Sequence, residues 1–251
     1  MSLSTDAARV LPAAAAKRRE IERVLGMISE DEYATLERRC YELFGLHYHT
    51  ATEHKYSIKC IIERRRFSFV EGLSNASKAF MILHTIGHYY FITNAVRKGV
   101  RRYEHIYDTF ENANLHVYDT IFNDHDSIEH RKRAEYEFGT VPEKIRIDRT
   151  VFEVGANNYA IHVLQFLKME HLGALVRIYE PADLIYILDV TAGGRHAIVE
   201  SDHDYLDRYV CNNPTIKDEP DIEGVYEPGK FHINNIDWQS LEDIKLEIHF
   251  F

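Results

Sequence analysis

The chain has 251 residues, of which 45% are apolar and 28% are charged, and 30 basic against 40 acidic residues give a net charge of −10. These values exclude a low-complexity or collagen-like chain, and an aromatic content of 12% argues against disorder. The acidic balance disfavours broad contact with nucleic acid, and no apolar stretch reaches the roughly 20 residues of a membrane helix. Three widely spaced cysteines form neither a disulfide framework nor a CxxC metal motif, which favours a cytoplasmic location.

The N-terminal 45 residues predict two helices. Residues 1–12 are expected to form a loose arm, and an alanine-rich helix is expected over 13–25. Ser29 and Glu32 have the capping-box spacing that marks the start of a second helix. That helix is expected to close at Gly45, because glycine is favoured just after a helix end.

The central part of the chain predicts strands followed by two buried helices. Residues 55–70 are rich in β-branched and aromatic types and predict two short strands. Residues 76–96 predict a helix that is apolar on almost every side, which is typical of a buried helix. A further helix is expected over 150–167, with Thr150 as its N-cap. The polar stretch between them, 100–148, is interpreted as an insertion.

The C-terminal part predicts a sheet. Strands are expected at 175–179, 184–190, 197–200, 231–236 and 246–251, with a hairpin turn at 192–194. The expected fold is therefore α+β, with a helical core first and a small, mostly antiparallel sheet after it. The expected divisions are N-terminal helices over 1–45, a core over 46–172, and a β-rich region over 173–251 that can belong to the same domain.

Two histidines, His84 and His88, lie four residues apart on the first buried helix. Four residues advance an α-helix by about 400°, so the two imidazoles share one face, one turn apart. Both rings can then reach one metal ion, and zinc binds histidine nitrogen. Because the chain has 15 histidines, such a spacing also arises by chance, and a pair of hydrogen-bonded core histidines is the alternative.

Glu153 lies near the start of the second buried helix. A carboxylate from a second helix would complete a His₂Glu ligand set and leave a fourth position for water. The alternative is a glutamate that only stabilises the positive end of the helix dipole. Local sequence alone favours the second of these two roles.

Two segments resemble the ImmA/IrrE-type metallopeptidases. Segment 80–91, FMILHTIGHYYF, is similar to that family's zinc helix, apolar-x-x-His-Glu-apolar-Gly-His. Segment 153–160, EVGANNYA, resembles the downstream Glu-x-Glu-Ala-Asn-x-Phe-Ala helix of the same family. The similar segments cover a minority of the chain. The resemblance implies a zincin-like helical core in which His84, His88 and Glu153 bind Zn²⁺.

Two departures from those motifs bear on activity. Thr85 stands where the family has its catalytic glutamate, and Gly155 replaces the second glutamate of the downstream motif. A threonine hydroxyl cannot accept a proton from metal-bound water as a carboxylate does, and losing a general base costs about 10²–10⁴-fold in rate. The sequence therefore predicts a diverged relative that is impaired as a peptidase.

Other polar groups are weaker candidates. Four acidic residues within the 100–148 stretch are candidates for a substitute base: Asp124, Asp126, Glu135 and Glu137. Two histidines of the same stretch, His125 and His130, lie five residues apart in polar sequence and are expected at the surface. The alternating His47 and His49 could share one strand face, but a solvated loop is the favoured interpretation.

These observations support three functional hypotheses. The first is a zinc-binding, zincin-like protein that is impaired in catalysis and acts in binding or regulation, with a protein partner or peptide as its ligand. The second is an active metal-dependent peptidase or hydrolase with a substitute base. The third is an interaction protein without metal, in which His84 and His88 are core residues.

Overall fold

The computed structural model describes residues 5–51, 58–61, 65–98, 143–180, 236–243 and 247–250. This part of the chain is mostly helical and carries one small β-sheet, in agreement with the predicted α+β class. Its elements, in chain order, are α1 (Thr5–Leu25), α2 (Glu30–Phe44), β1 (His47–Ala51), β2 (Ile58–Ile61), β3 (Arg66–Val70), α3 (Asn75–Arg97), α4 (Glu143–Leu167), a 3₁₀ turn (Glu170–Leu172), α5 (173–180), α6 (Trp238–Asp243) and β4 (Glu247–Phe250).

The N-terminal helices follow the sequence except at their beginning. Helix α1 begins at Thr5, so the predicted arm over 1–12 is wrong from that residue onward. Repeated alanines favour the longer helix. The cap of α2 is confirmed, because the Ser29 side chain accepts a hydrogen bond of 3.2 Å from the backbone N–H of Glu32. The end of α2 is also confirmed, at Gly45 with φ of +66°.

The sheet has the strand order β1-β3-β2-β4. Strands β1 and β3 run parallel, so the prediction of antiparallel pairing is wrong for this pair. The chain reverses direction before β2 and again before β3, which leaves β3 pointing the same way as β1. Strand β2 is antiparallel to both β3 and β4.

The position of the sheet in the chain also differs from the prediction. Three of its four strands precede α3, whereas the sequence predicts the sheet after the helices. The strands predicted within 55–70 and 246–251 are confirmed as β2, β3 and β4. The favoured loop at His47 and His49 is wrong, because both residues belong to β1.

Two further predictions are wrong because the residues concerned lie inside helices. Residues 175–179 lie in α5 rather than in a strand. Leu175, Val176 and Tyr179 recur at helical spacing and are buried, and a short apolar run of this kind fits either structure. Helix α4 begins at Glu143, so Thr150 lies inside the helix and is not its N-cap. The predicted strands at 184–190 and 197–200, the turn at 192–194 and all but the last residue of the strand at 231–236 lie outside the described residues.

The core forms around the packed pair α3 and α4. Nearly every described side chain of α3 between Ala76 and Ala95 is buried, as expected for a helix without a polar face. Phe67 and Phe69 of β3 are buried as well. The Arg39 guanidinium of α2 donates hydrogen bonds to the carbonyls of Leu167 and Lys168 and so caps the end of α4. None of the helices in the described ranges has the length and apolar character of a membrane span.

Candidate metal centre

Helices α3 and α4 approach each other closely at Gly87. A Cβ atom placed on Gly87 would lie 2.0 Å from the backbone oxygen of Ala156, far inside van der Waals contact. Only glycine permits this approach, because it has no side chain. The crossing point adjoins His88 on α3 and lies one turn beyond Glu153 on α4, and it therefore brings these two residues together.

The three predicted ligands converge at this crossing. His84 Nε2 lies 2.8 Å from Glu153 Oε2 and 2.8 Å from His88 Nε2. His88 Nε2 lies 3.2 Å from the same carboxylate oxygen. All three residues are buried, with exposed fractions of 0%, 1% and 2% for His84, His88 and Glu153. One imidazole pair and one carboxylate thus point their donor atoms at a common point.

Asn157 sets the orientation of the first imidazole. Its Oδ1 lies 2.7 Å from His84 Nδ1, so Nδ1 carries the proton and donates it to the amide oxygen. A neutral His84 ring then presents the lone pair of Nε2 to Glu153 and His88. This arrangement matches metal-binding histidines, whose other ring nitrogen donates to a carbonyl or carboxylate group.

The donor set can accept either a proton or a metal ion. Glu153 Oε2 and His84 Nε2 lie 2.8 Å apart, so a proton or a cation lies between these two atoms. A proton bridges two such atoms, whereas a cation accepts all three. Neighbouring donors of a tetrahedral zinc ion with ligand distances of about 2.0–2.1 Å lie about 3.3 Å apart. The pair at 3.2 Å already matches this distance, and the two pairs at 2.8 Å would move apart by about 0.5 Å to admit the ion. The buried His-His-Glu cluster can therefore hold a metal ion.

Thr85 lies beside this cluster and is fully buried. Within the described residues, its hydroxyl oxygen makes no hydrogen bond. Glu153 is the one carboxylate that the described residues contribute to the cluster. The candidates for a substitute base and two histidines considered with them lie outside the described residues: Asp124, Asp126, Glu135, Glu137, His125 and His130.

Sequence reasoning assigns no role to two kinds of residue at the site. The first is Asn157, although its i, i+4 spacing from Glu153 already places it on the face that meets His84. The second is the pair of rings that cover the imidazoles, Phe152 and Phe80. Nothing in the sequence distinguishes these rings from the other aromatic residues of two apolar helices.

Comparison of the chain with protein-family models, with curated proteins and with solved structures gives no match. The functional proposal therefore rests on the geometry of the cluster and on the resemblance of segments 80–91 and 153–160.

Proposed function

We propose that this chain binds one zinc ion through His84, His88 and Glu153 and is a diverged, zincin-like relative of the ImmA/IrrE-type metallopeptidases. It is impaired as a peptidase and acts in binding or regulation in the cytoplasm, on a protein partner or peptide. The observation that carries the proposal is the convergence of the three donor atoms within 2.8–3.2 Å of one another.

The chemistry of the donors supports zinc. Two imidazole nitrogens and one carboxylate oxygen form the ligand set of many zinc hydrolases, with a fourth position left over. Asn157 would not bind the ion itself, but its hydrogen bond to His84 Nδ1 fixes the tautomer that leaves Nε2 free to bind. A pair of ordinary core histidines would not need a carboxylate oxygen within contact of both Nε2 atoms.

Impaired catalysis follows from Thr85. In a zincin, the residue after the first histidine is a glutamate that takes a proton from metal-bound water. Thr85 occupies that place in this chain, and its hydroxyl cannot serve as the base. Glu153 is already committed as a ligand, so the described cluster offers no second carboxylate for proton transfer.

Metal content tests the proposal directly. Protein purified without chelators and analysed by elemental mass spectrometry should contain about one zinc per chain. His84→Ala should lose that zinc. His171→Ala is the matched control, because His171 is a half-exposed imidazole that pairs with Glu32 on α2. Absence of metal from the wild-type chain after zinc is supplied would contradict the proposal and favour a non-metal interaction protein.

Peptidase assays test the second half of the proposal. The zinc-loaded wild-type chain should cleave a broad peptide library no faster than the His84→Ala variant does. Cleavage that depends on zinc and on His84 would instead show an active hydrolase with a substitute base.

A further inference from the structure

The metal centre is enclosed by the protein interior. Thr85 and Asn157 have exposed fractions of 0%, and the three ligands are 0–2% exposed. A catalytic zinc site keeps one position open for water and substrate, whereas a structural site is closed. The groups that cover the ligands therefore decide what the metal does.

An aromatic ring packs on each imidazole. The Phe152 ring of α4 stacks on His88, with centroids 4.1 Å apart and planes inclined by 25°. The Phe80 ring lies 5.2 Å from the His84 ring, one helical turn before it on α3. Tyr179 of α5 stacks on Phe80 at 4.5 Å, so a third element covers the first imidazole from outside.

Gly155 belongs to this aromatic packing. A Cβ atom at Gly155 would lie 2.1 Å from the ring of Phe91, so that ring fills the space of the missing side chain. Phe91 in turn meets the edge of Phe152 at 5.4 Å and 88°. A larger residue at Gly155 would displace Phe91 and, through it, the ring that covers His88. Gly155 is also one of the two positions at which this chain departs from the ImmA/IrrE-type motifs.

We propose that the centre is a closed structural site, in which the aromatic rings exclude water and the metal leaves only when α3 and α4 separate. This inference rests on the proposed function, because it requires a metal at His84, His88 and Glu153. The ligands come from two helices that are distant in sequence, so a bound ion links them as a cross-link does. The two rings that pack on the imidazoles are themselves buried, with exposed fractions of 5% for Phe80 and 0% for Phe152.

The test compares two rates on the zinc-loaded, full-length chain. Zinc release to a chromophoric chelator and unfolding followed by circular dichroism are measured over the same series of denaturant concentrations. We expect the two rates to coincide and the release rate to be independent of chelator concentration, because helix separation limits both. Release that is faster than unfolding and rises with chelator concentration would show an open site and overturn the inference. A wild-type chain that takes up no zinc would overturn the proposed function as well.

A variant of the covering ring sharpens the test. Phe152→Leu retains an apolar side chain and removes the ring stacked on His88, so zinc release should become at least about tenfold faster than unfolding. Phe166→Leu is the matched control, since Phe166 is a half-buried ring of the same helix that contacts His162. In this control variant, the rate of zinc release should stay equal to the rate of unfolding. Should Phe152→Leu fail to fold, Phe80→Leu replaces it. A folded variant that still releases zinc only on unfolding would overturn the role assigned to the rings.

Discussion

Two closely spaced pairs of histidines lie within the described residues, and they differ in almost every physical respect. His84 and His88 lie one turn apart on a buried helix and face a carboxylate from a second helix. His47 and His49 alternate along β1, where His47 is exposed and His49 is half-buried. His49 Nε2 lies 2.8 Å from the Ser68 hydroxyl. Within the described ranges, His47 and His49 belong to no cluster of three potential metal ligands.

The difference shows what converts a histidine spacing into a metal centre. Both spacings place two imidazoles on one face of their element. Only the helical pair is buried, oriented by an amide oxygen and supplied with a carboxylate. The strand pair has a hydroxyl as a neighbour, and such a contact satisfies a neutral imidazole without a cation. Burial and the third donor, rather than the spacing, therefore carry the assignment.

Removal of a ligand should give the largest effect. We expect Glu153→Gln to weaken zinc binding by at least about 100-fold, because it removes the one negative charge among the three donors. Chelator competition measures this change. His49→Ala is the control from the other histidine pair and should leave the zinc affinity unchanged. An equal loss of zinc affinity in the two variants would show that the two histidine pairs do not differ in metal binding.

A side chain at the helix crossing should give the next largest effect. Gly87→Ala places a methyl group against backbone that cannot move aside, so the free energy of unfolding should fall by about 1–3 kcal/mol. Gly173→Ala is the matched control, because nothing lies within 4 Å of its added Cβ. Its free energy of unfolding should stay within about 1 kcal/mol of wild type. Urea denaturation of the two variants tests the comparison.

Asn157 should have a smaller effect on the same site. Asn157→Leu removes the acceptor that orients His84, so zinc affinity should fall about 10–100-fold without loss of a ligand. Asn158→Leu, one residue further along α4, is the control. The Asn158 side chain donates a hydrogen bond to the carbonyl of Val154. If zinc titrations of both variants gave the wild-type affinity, Asn157 would have no positioning role.

Alkaline pH should lower the stability of the contact between Cys40 of α2 and Tyr48 of β1. Burial raises the pKa of the Cys40 thiol from 9.0 to about 12, and the pKa of the neighbouring Tyr48 is also raised, mainly by burial. The folded state therefore favours the neutral thiol, and its contribution to stability is complete below pH 9 and is lost as the pH rises towards 12. The free energy of unfolding should therefore decrease between about pH 9 and about pH 12. Cys40→Ala should show a shallower decrease; an unchanged slope would contradict the assignment.

Loss of the Ser68 hydroxyl should give the smallest effect. Ser68→Ala removes the hydrogen bond to His49, so the free energy of unfolding should fall by about 0.5–1.5 kcal/mol. Zinc affinity should not change, since this contact lies in the sheet. A parallel loss of zinc affinity would show that the two histidine pairs are coupled.

Local signals predicted the helices better than the sheet. Apolar periodicity and capping residues predicted α2 and α3, because each of these signals comes from residues that are only a few positions apart in the chain. The parallel pairing of β1 with β3 depends on where the chain returns after two reversals, which no local pattern encodes. A short apolar run at 175–179 fits a strand or a helix equally well, and packing of Tyr179 on Phe80 accompanies the helical form.

The candidate site was predictable only in part. His84, His88 and Glu153 followed from spacing and resemblance, and the structure brings these three residues together. The roles of Asn157 and Phe152 depend on how α3 and α4 cross. That crossing is set by a contact between Gly87 and Ala156, which are distant in sequence. Sequence spacing identifies residues on one face of a helix, but not which face of a second helix they will meet.

Zinc K-edge X-ray absorption of the zinc-loaded protein identifies the atoms that bind the metal. We expect nitrogen and oxygen ligands at about 2.0–2.1 Å, with outer-shell scattering from two imidazoles that is reduced or lost in His84→Ala. A sulfur ligand at about 2.3 Å, or imidazole scattering that His84→Ala leaves unchanged, would place the metal elsewhere and contradict binding by His84, His88 and Glu153.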